Sequence, residues 1–380
     1  MQTVCDPSRP LSILMLESSR HWGGQEDRLI REARWLRNKG HRVMLACNPD
    51  AAIAPRARAA GVDVRPVPMR ANVDVPGLMS LAALVRKEKP DVLHAHSSKD
   101  AWFAFWFHCR GIPVVRSRHM TLPDTMRRGR RFIYRHGCRR LIASAQFIAD
   151  NMRDSIGVDP DRIDVIGECV DTEEFRPGEG SAFRREFGIP PEAPLFGIVA
   201  MLRDEKGHRT FLHAAREVLR SHPNARFAVV GGPVATNSIE LELRGILREK
   251  FAGLEPKPVV MTGFREDIPS IMRAIDCLVV PSAQEAQTLV IPQAFATGKP
   301  VIGSRVGGIP ELVEDGVTGL LIPTQDPAAL TAAMQKIITQ PDMADRMAQA
   351  GYDLARRDLA IDTKMGLLVT SYRKAIALRA

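Results

Sequence analysis

Residues 281–323 read PSAQEAQTLVIPQAFATGKPVIGSRVGGIPELVEDGVTGLLIP, and this stretch decides the fold. Its order is strand end, loop, helix, strand, glycine turn, helix start, turn and strand, the alternation of a parallel α/β sheet. Glu285 stands in a loop just before an apolar helix start, and Gln293 follows eight positions later. A loop that opens a helix presents unpaired backbone amides and a positive dipole end to a phosphate. A carboxylate beside such an anion site is placed to bond the hydroxyls of whatever the phosphate carries. Together these features describe a pocket for a nucleotide sugar.

Upstream, Ala200–Gly207 (AMLRDEKG) follows a buried apolar run and opens another helix. Arg203 and Lys206 in such a strand-to-helix loop suit a diphosphate grip, an arginine fork spanning two oxygens. Gly23 and Gly24, in HWGGQE, sit between the first strand and first helix, where a backbone without side chains admits a ligand closely. Arg116-Ser117-Arg118-His119 ends the fourth strand expected in the first half, and ligands of open α/β sheets gather at the carboxyl ends of strands. His119 is therefore a candidate site residue, with His94 and His96 as lining.

The 281–323 segment resembles the donor site of the retaining GT-B glycosyltransferases of family 4. The family pattern there is Glu, seven residues, Glu, a small-residue helix, Gly-x-Pro-Val, Gly-Gly, Glu-Leu/Ile-Val and Gly-x-x-Gly-Leu-Leu. This chain supplies Glu285, then Gln293 in place of the second Glu, Gly298–Val301, Gly307-Gly308, Glu311–Val313 and 316–321. It departs again at Met201, where the family's Gly-Arg-Leu-x-x-x-Lys-Gly has its arginine, while Lys206 matches the lysine.

The resemblance implies two Rossmann-like parallel-sheet domains facing a cleft. It implies that Lys206, Arg203 and the amides of Thr288, Leu289 and Val290 hold the donor diphosphate, that Glu285 binds the sugar and Gln293 the ribose. Gly23 and Gly24 would face the donor phosphates, His119 the reacting sugar, and Phe264 and Arg265 the nucleobase. Charge stabilisation on the departing phosphate is the main catalytic term such a site offers. An epimerase of the same fold would need dedicated acid/base residues, which do not stand out. A donor-binding subunit that has lost catalysis would explain the departures at Met201 and Gln293.

Bulk properties agree with two domains. The 380 residues are 45% hydrophobic, as in a soluble globular protein, and no run approaches the length of a membrane span. Residues 11–16 lack a cationic leader and read as a first buried strand, not a signal peptide. Six scattered cysteines show neither CxxC pairing nor compact spacing, which fits a reducing cytoplasm without zinc or disulfides. Asp159-Pro160-Asp161 reads as a proline turn, so no metal site is expected, and no cofactor beyond the donor nucleotide sugar.

Strands are expected at 12–16, 43–46, 92–94, 114–116 and 141–143, then at 196–200, 226–230, 259–262, 277–280, 301–303 and 319–322. The polar, Pro-Gly-ended run Val170–Gly178 marks the linker. Domains are thus expected at 1–175, joined by a returning helix over 361–380, and at 176–360. Positive charge belongs to the first half: residues 1–180 hold 29 Lys and Arg against 22 Asp and Glu, and the remainder 24 against 22. Seven of those arginines fall between Arg127 and Arg140, interleaved with Phe132, Ile133 and Tyr134. This surplus points to a peripheral contact with anionic membrane and to a glycan or lipid-linked acceptor of the cell envelope. No nucleic-acid module accompanies it.

Overall fold

The computed structural model describes residues 9–121, 128–232 and 238–378. They form two compact units, each an α/β fold on one parallel sheet. The first runs to Gly167 and resumes at Asp362; the second is Glu168–Ile361. The boundary lies a few residues before the expected one. Val170 bridges to Ala360, and both Val170 and Phe175 pack into the second unit's apolar core, so the linker's polar appearance hides two anchors.

In the first unit seven strands are ordered β3-β2-β1-β4-β5-β6-β7: β1 (Ser12–Glu17), β2 (Arg42–Cys47), β3 (Asp63–Pro66), β4 (Val92–Ala95), β5 (Val114–Arg118), β6 (Arg140–Ala143) and β7 (Ile163–Val165). In the second, six strands run β10-β9-β8-β11-β12-β13: β8 (Leu195–Val199), β9 (Arg226–Val230), β10 (Val259–Gly263), β11 (Cys277–Val280), β12 (Val301–Ser304) and β13 (Gly319–Ile322). All pairings between these strands are parallel. The strand order reverses beside β1 in one unit and beside β8 in the other. Loops leaving β1 and β4, or β8 and β11, therefore diverge to opposite faces and leave a crevice at their carboxyl ends.

The central strands are apolar runs because helices cover both faces. Every residue of β8, β9 and β11 is buried. The edge strands β3 and β7 were not expected. Each has a partner on one side only and carries half-exposed positions, so neither shows an apolar run.

Helix Ile361–Ala377 belongs to the first unit and is tied to it by polar bonds in the interior. Tyr372 Oη lies 2.8 Å from His94 Nδ1, and the other ring nitrogen lies 2.8 Å from Ser117 Oγ. His94 and Tyr372 are fully buried. Arg139 adds bonds from its guanidinium to Ala375 O and Gly111 O. Removing one partner of a buried pair strands the other, at about 1–3 kcal/mol. Tyr372→Phe is accordingly expected to lower stability by about 1–3 kcal/mol in urea denaturation.

Candidate functional site

The second unit brings Lys206 and Glu285 together. Lys206 closes a short turn, Asp204–Lys206, after β8, and Glu285 lies in the loop after β11. Their side chains meet at 2.6 Å, with the lysine 21% and the carboxylate 8% exposed. The backbone enforces this meeting. Ala283 N donates to Glu205 O at 2.8 Å, stitching one loop to the other. Gly207 sits at φ +77°, where a Cβ would lie 2.0 Å from Pro281 O. On the far side Gly307, at φ +56°, presses on the Glu285 carbonyl so closely that a Cβ would lie 1.6 Å away. Gly308 N donates to Ala286 O at 3.0 Å. Glycine is the one residue that adopts these angles without strain and leaves this space.

Thr288, Leu289 and Val290 follow directly, half-exposed, where helix Val290–Ala296 begins. Gln293 is on that helix and is buried. Arg203 is half-exposed and only loosely opposed to Glu205, at 3.8 Å. Phe264, just past β10, presents a ring that is 73% exposed. Arg265, beside it, pairs with Glu186 at 2.6 Å and with Asp267 at 2.8 Å. Asp267 likewise pairs with Arg265 and makes no side-chain cap on helix Ile268–Ala274.

In the first unit the crevice beside β1 holds a carboxylate network that the sequence did not announce. Glu17 ends β1 and is fully buried. It accepts from Ser19 N at 2.7 Å, from Gln25 Nε2 at 2.6 Å and from Ser97 Oγ. Ser97 caps helix Ser98–His108, and its amide donates to buried Asp100 at 2.9 and 3.0 Å. Burial pushes the carboxyls of both Glu17 and Asp100 upward. Above this network lies a cavity of about 270 Å³ lined by Ser18, Ser19, Arg20, His21, Ser97, Ser98 and Lys99. Gly23 has an extended backbone, and a Cβ on Gly24 would meet nothing within 4 Å, so that surface is open.

His96 and His119, ending β4 and β5, lie parallel with ring centroids 6.5 Å apart. The Nε2 of each has no partner among the described residues. Glu32, His94 and His96 cluster closely enough to suggest a metal. Arg28 already pairs with Glu32 at 2.7 Å, however, and both His94 nitrogens are engaged by Tyr372 and Ser117. Asp159 accepts from Asp161 N at 3.0 Å, as in a proline turn.

The arginine run divides. Arg127 lies outside the described residues. Arg131, Arg135 and Arg139 donate to backbone carbonyls, and Arg140 forks onto Asp164 at 2.6 and 2.7 Å. These four serve the fold, which leaves Arg128 and Arg130 exposed beside the half-exposed Phe132.

Comparison with known proteins places two family matches on these units. Residues 193–340 match the model described as Glycosyl transferases group 1, and residues 22–174 match Glycosyltransferase Family 4. A D-inositol 3-phosphate glycosyltransferase of Frankia alni is 34% identical over 248 residues, which cover 63% of this chain and 60% of the relative. The chain spans about half to three-fifths of the length of this and similarly named curated relatives from Corynebacterium efficiens and Segniliparus rotundus. A glycosyltransferase structure from Rickettsia africae superposes with a TM-score of 0.87 at 17% identity, covering 97% of this chain and 99% of that one. Anabaena Alr3699/HepE, solved with UDP, gives 0.83 at 23% identity, covering 95% and 99%. The two parallel-sheet domains are those of the GT-B architecture.

Burial holds His94, His96 and His119 uncharged, His96 down to about 3, with neighbouring positive charge adding to the effect. Unfolding frees each to bind a proton below about pH 6.5, so their contribution is present above that value and lost as pH falls. Each histidine can supply up to about 1.4 kcal/mol per pH unit. Buried Glu17 and Asp100, whose carboxyls are raised, act in the opposite sense over this range, so the histidine contribution is read as a difference: as pH falls from 7.5 to 5.5, His96→Gln is expected to lose less urea midpoint, or gain more, than the unmodified protein. The same pH slope in both proteins would contradict this account.

Proposed function

We propose that this chain, which joins a Glycosyltransferase Family 4 domain to a Glycosyl transferases group 1 domain, is a retaining glycosyltransferase using a nucleoside-diphosphate sugar. The observation that carries the reading is the meeting of Lys206 and Glu285 at the point where the strand order reverses. A cation there can take the diphosphate, and the adjoining carboxylate the sugar hydroxyls. Arg203 and the amides of Thr288, Leu289 and Val290 complete the phosphate grip, Phe264 offers an apolar face to the base, and Gln293 serves the ribose. In the first unit, Gly23, Gly24 and His119 are the candidate ligand contacts. The Anabaena neighbour's complexes with UDP and UDP-glucose support a uridine nucleotide as the first donor to try.

Charge stabilisation of the leaving diphosphate by Lys206 and Arg203 is the main catalytic contribution, so turnover needs no divalent cation. The acceptor is a glycan or lipid-linked sugar of the cell envelope. The protein works in the cytoplasm, on the inner face of an anionic membrane approached through Arg128, Arg130 and the exposed ring of Phe132.

Glu285→Ala is expected to lower turnover by about 10²–10³-fold, as loss of one well-placed stabilising group does, measured as donor consumption in the presence of EDTA. Gln293→Glu should change donor affinity modestly. An amide bonds a ribose diol as a carboxylate does, by accepting from its hydroxyls. A harmless Glu285→Ala would defeat the reading, and activity restored only by manganese or magnesium would defeat its metal-free chemistry. Replacing Arg128 and Arg130 by Ser should reduce sedimentation with anionic vesicles and leave donor binding unchanged. Undiminished vesicle binding at low salt would remove the membrane contact.

A further inference from the structure

The ion pair that carries the proposed function also has a cost for any ligand that enters. Lys206 Nζ and Glu285 Oε2 are already engaged with one another at 2.6 Å, and the carboxylate is only 8% exposed. Its other side-chain neighbour, Ser282 Oγ, is at the long distance of 3.4 Å. Nor is the loop placed to swing aside. Gly307 abuts the Glu285 carbonyl, and the bond from Ala283 N to Glu205 O holds the two loops together. A phosphate that takes Lys206 leaves Glu285 a buried anion without its cation, now facing further negative charge.

We propose that the Lys206–Glu285 pair makes this site discriminate against a bare nucleoside diphosphate in favour of one carrying a sugar. This rests on the reading that Lys206 holds the diphosphate and Glu285 the sugar. A nucleotide sugar brings hydroxyl donors that satisfy the carboxylate it has displaced. The bare diphosphate, which is the product left after transfer, brings none and adds negative charge beside it. Glu285 then reclaims Lys206 and weakens the hold on the product. The carboxylate thus serves twice, as a sugar ligand before transfer and as a competitor for the cation after it.

The experiment is isothermal titration of UDP, GDP and ADP, and of their glucose esters, into the full chain and into Glu285→Gln and Lys206→Met. The neutral amide keeps the shape of Glu285 and gives up the charge. Glu285→Gln should bind the preferred nucleoside diphosphate tighter than wild type, on the order of fivefold to tenfold, and should not tighten the sugar ester. Glu285→Ala, a second route to the same charge removal, should shift the balance between the two ligands in the same direction. Unchanged or weaker diphosphate binding in both Glu285 variants overturns the inference. If Lys206→Met still abolishes binding in that case, the proposed function stands without it. Diphosphate binding unaffected by Lys206→Met, or absent from every protein tested, overturns both.

Discussion

Everything in the second unit's crevice depends on two loops being held backbone to backbone. The sheet order places the ends of β8 and β11 side by side. That proximity alone would leave two independent loops. The bond from Ala283 N to Glu205 O, the closeness of Gly207 to Pro281, and the contact of Gly307 with the Glu285 carbonyl turn them into one surface. A side chain at either glycine would both strain a positive φ and force backbone atoms apart. The glycines of the motif therefore act on the carboxylate by fixing where its backbone lies, and the lysine meets it as a consequence.

The same architecture explains what was legible beforehand. The strands 226–230 and 277–280 were readable to the residue, because two-sided burial leaves an apolar run bounded by polar turns. The edge strands β3 and β7 were not, since half their environment is solvent. Lys206 and Glu285 were each recognisable from local spacing, but their contact spans 79 residues and follows from sheet order, which no local pattern records. Arg265 shows the same limit: its pairing with Glu186 also spans 79 residues, and no local pattern announces it. Glu17 and Asp100 went unnoticed because single acids at the end of a strand and the start of a helix are commonplace. What distinguishes them is burial, and burial is a property of the fold.

The crevices beside β1 and β8 each contain a carboxylate, and they are satisfied in different ways. Glu17 is held by an amide hydrogen, a serine hydroxyl and a glutamine amide, all supplied by its own unit. Those neutral donors brace the loop leading to Gly23 and Gly24. Glu285 relies chiefly on a cation. A neutral network rigidifies, whereas a partner that is itself attractive to phosphate can be exchanged. The arginine-rich segment shows a similar division of labour: Arg131, Arg135 and Arg139 bond backbone carbonyls and Arg140 a carboxylate, while Arg128 and Arg130 stay exposed.

The bond between His94 and Tyr372 joins positions 278 residues apart, and the whole of the second unit lies between them in the chain. A ribosome therefore delivers every residue of the second unit before the first unit receives its last helix. Until helix Ile361–Ala377 is in place, His94 lacks its Tyr372 partner and the interior positions of Met365, Leu368 and Tyr372 stay unfilled, so the first unit cannot complete its fold from its N-terminal segment alone.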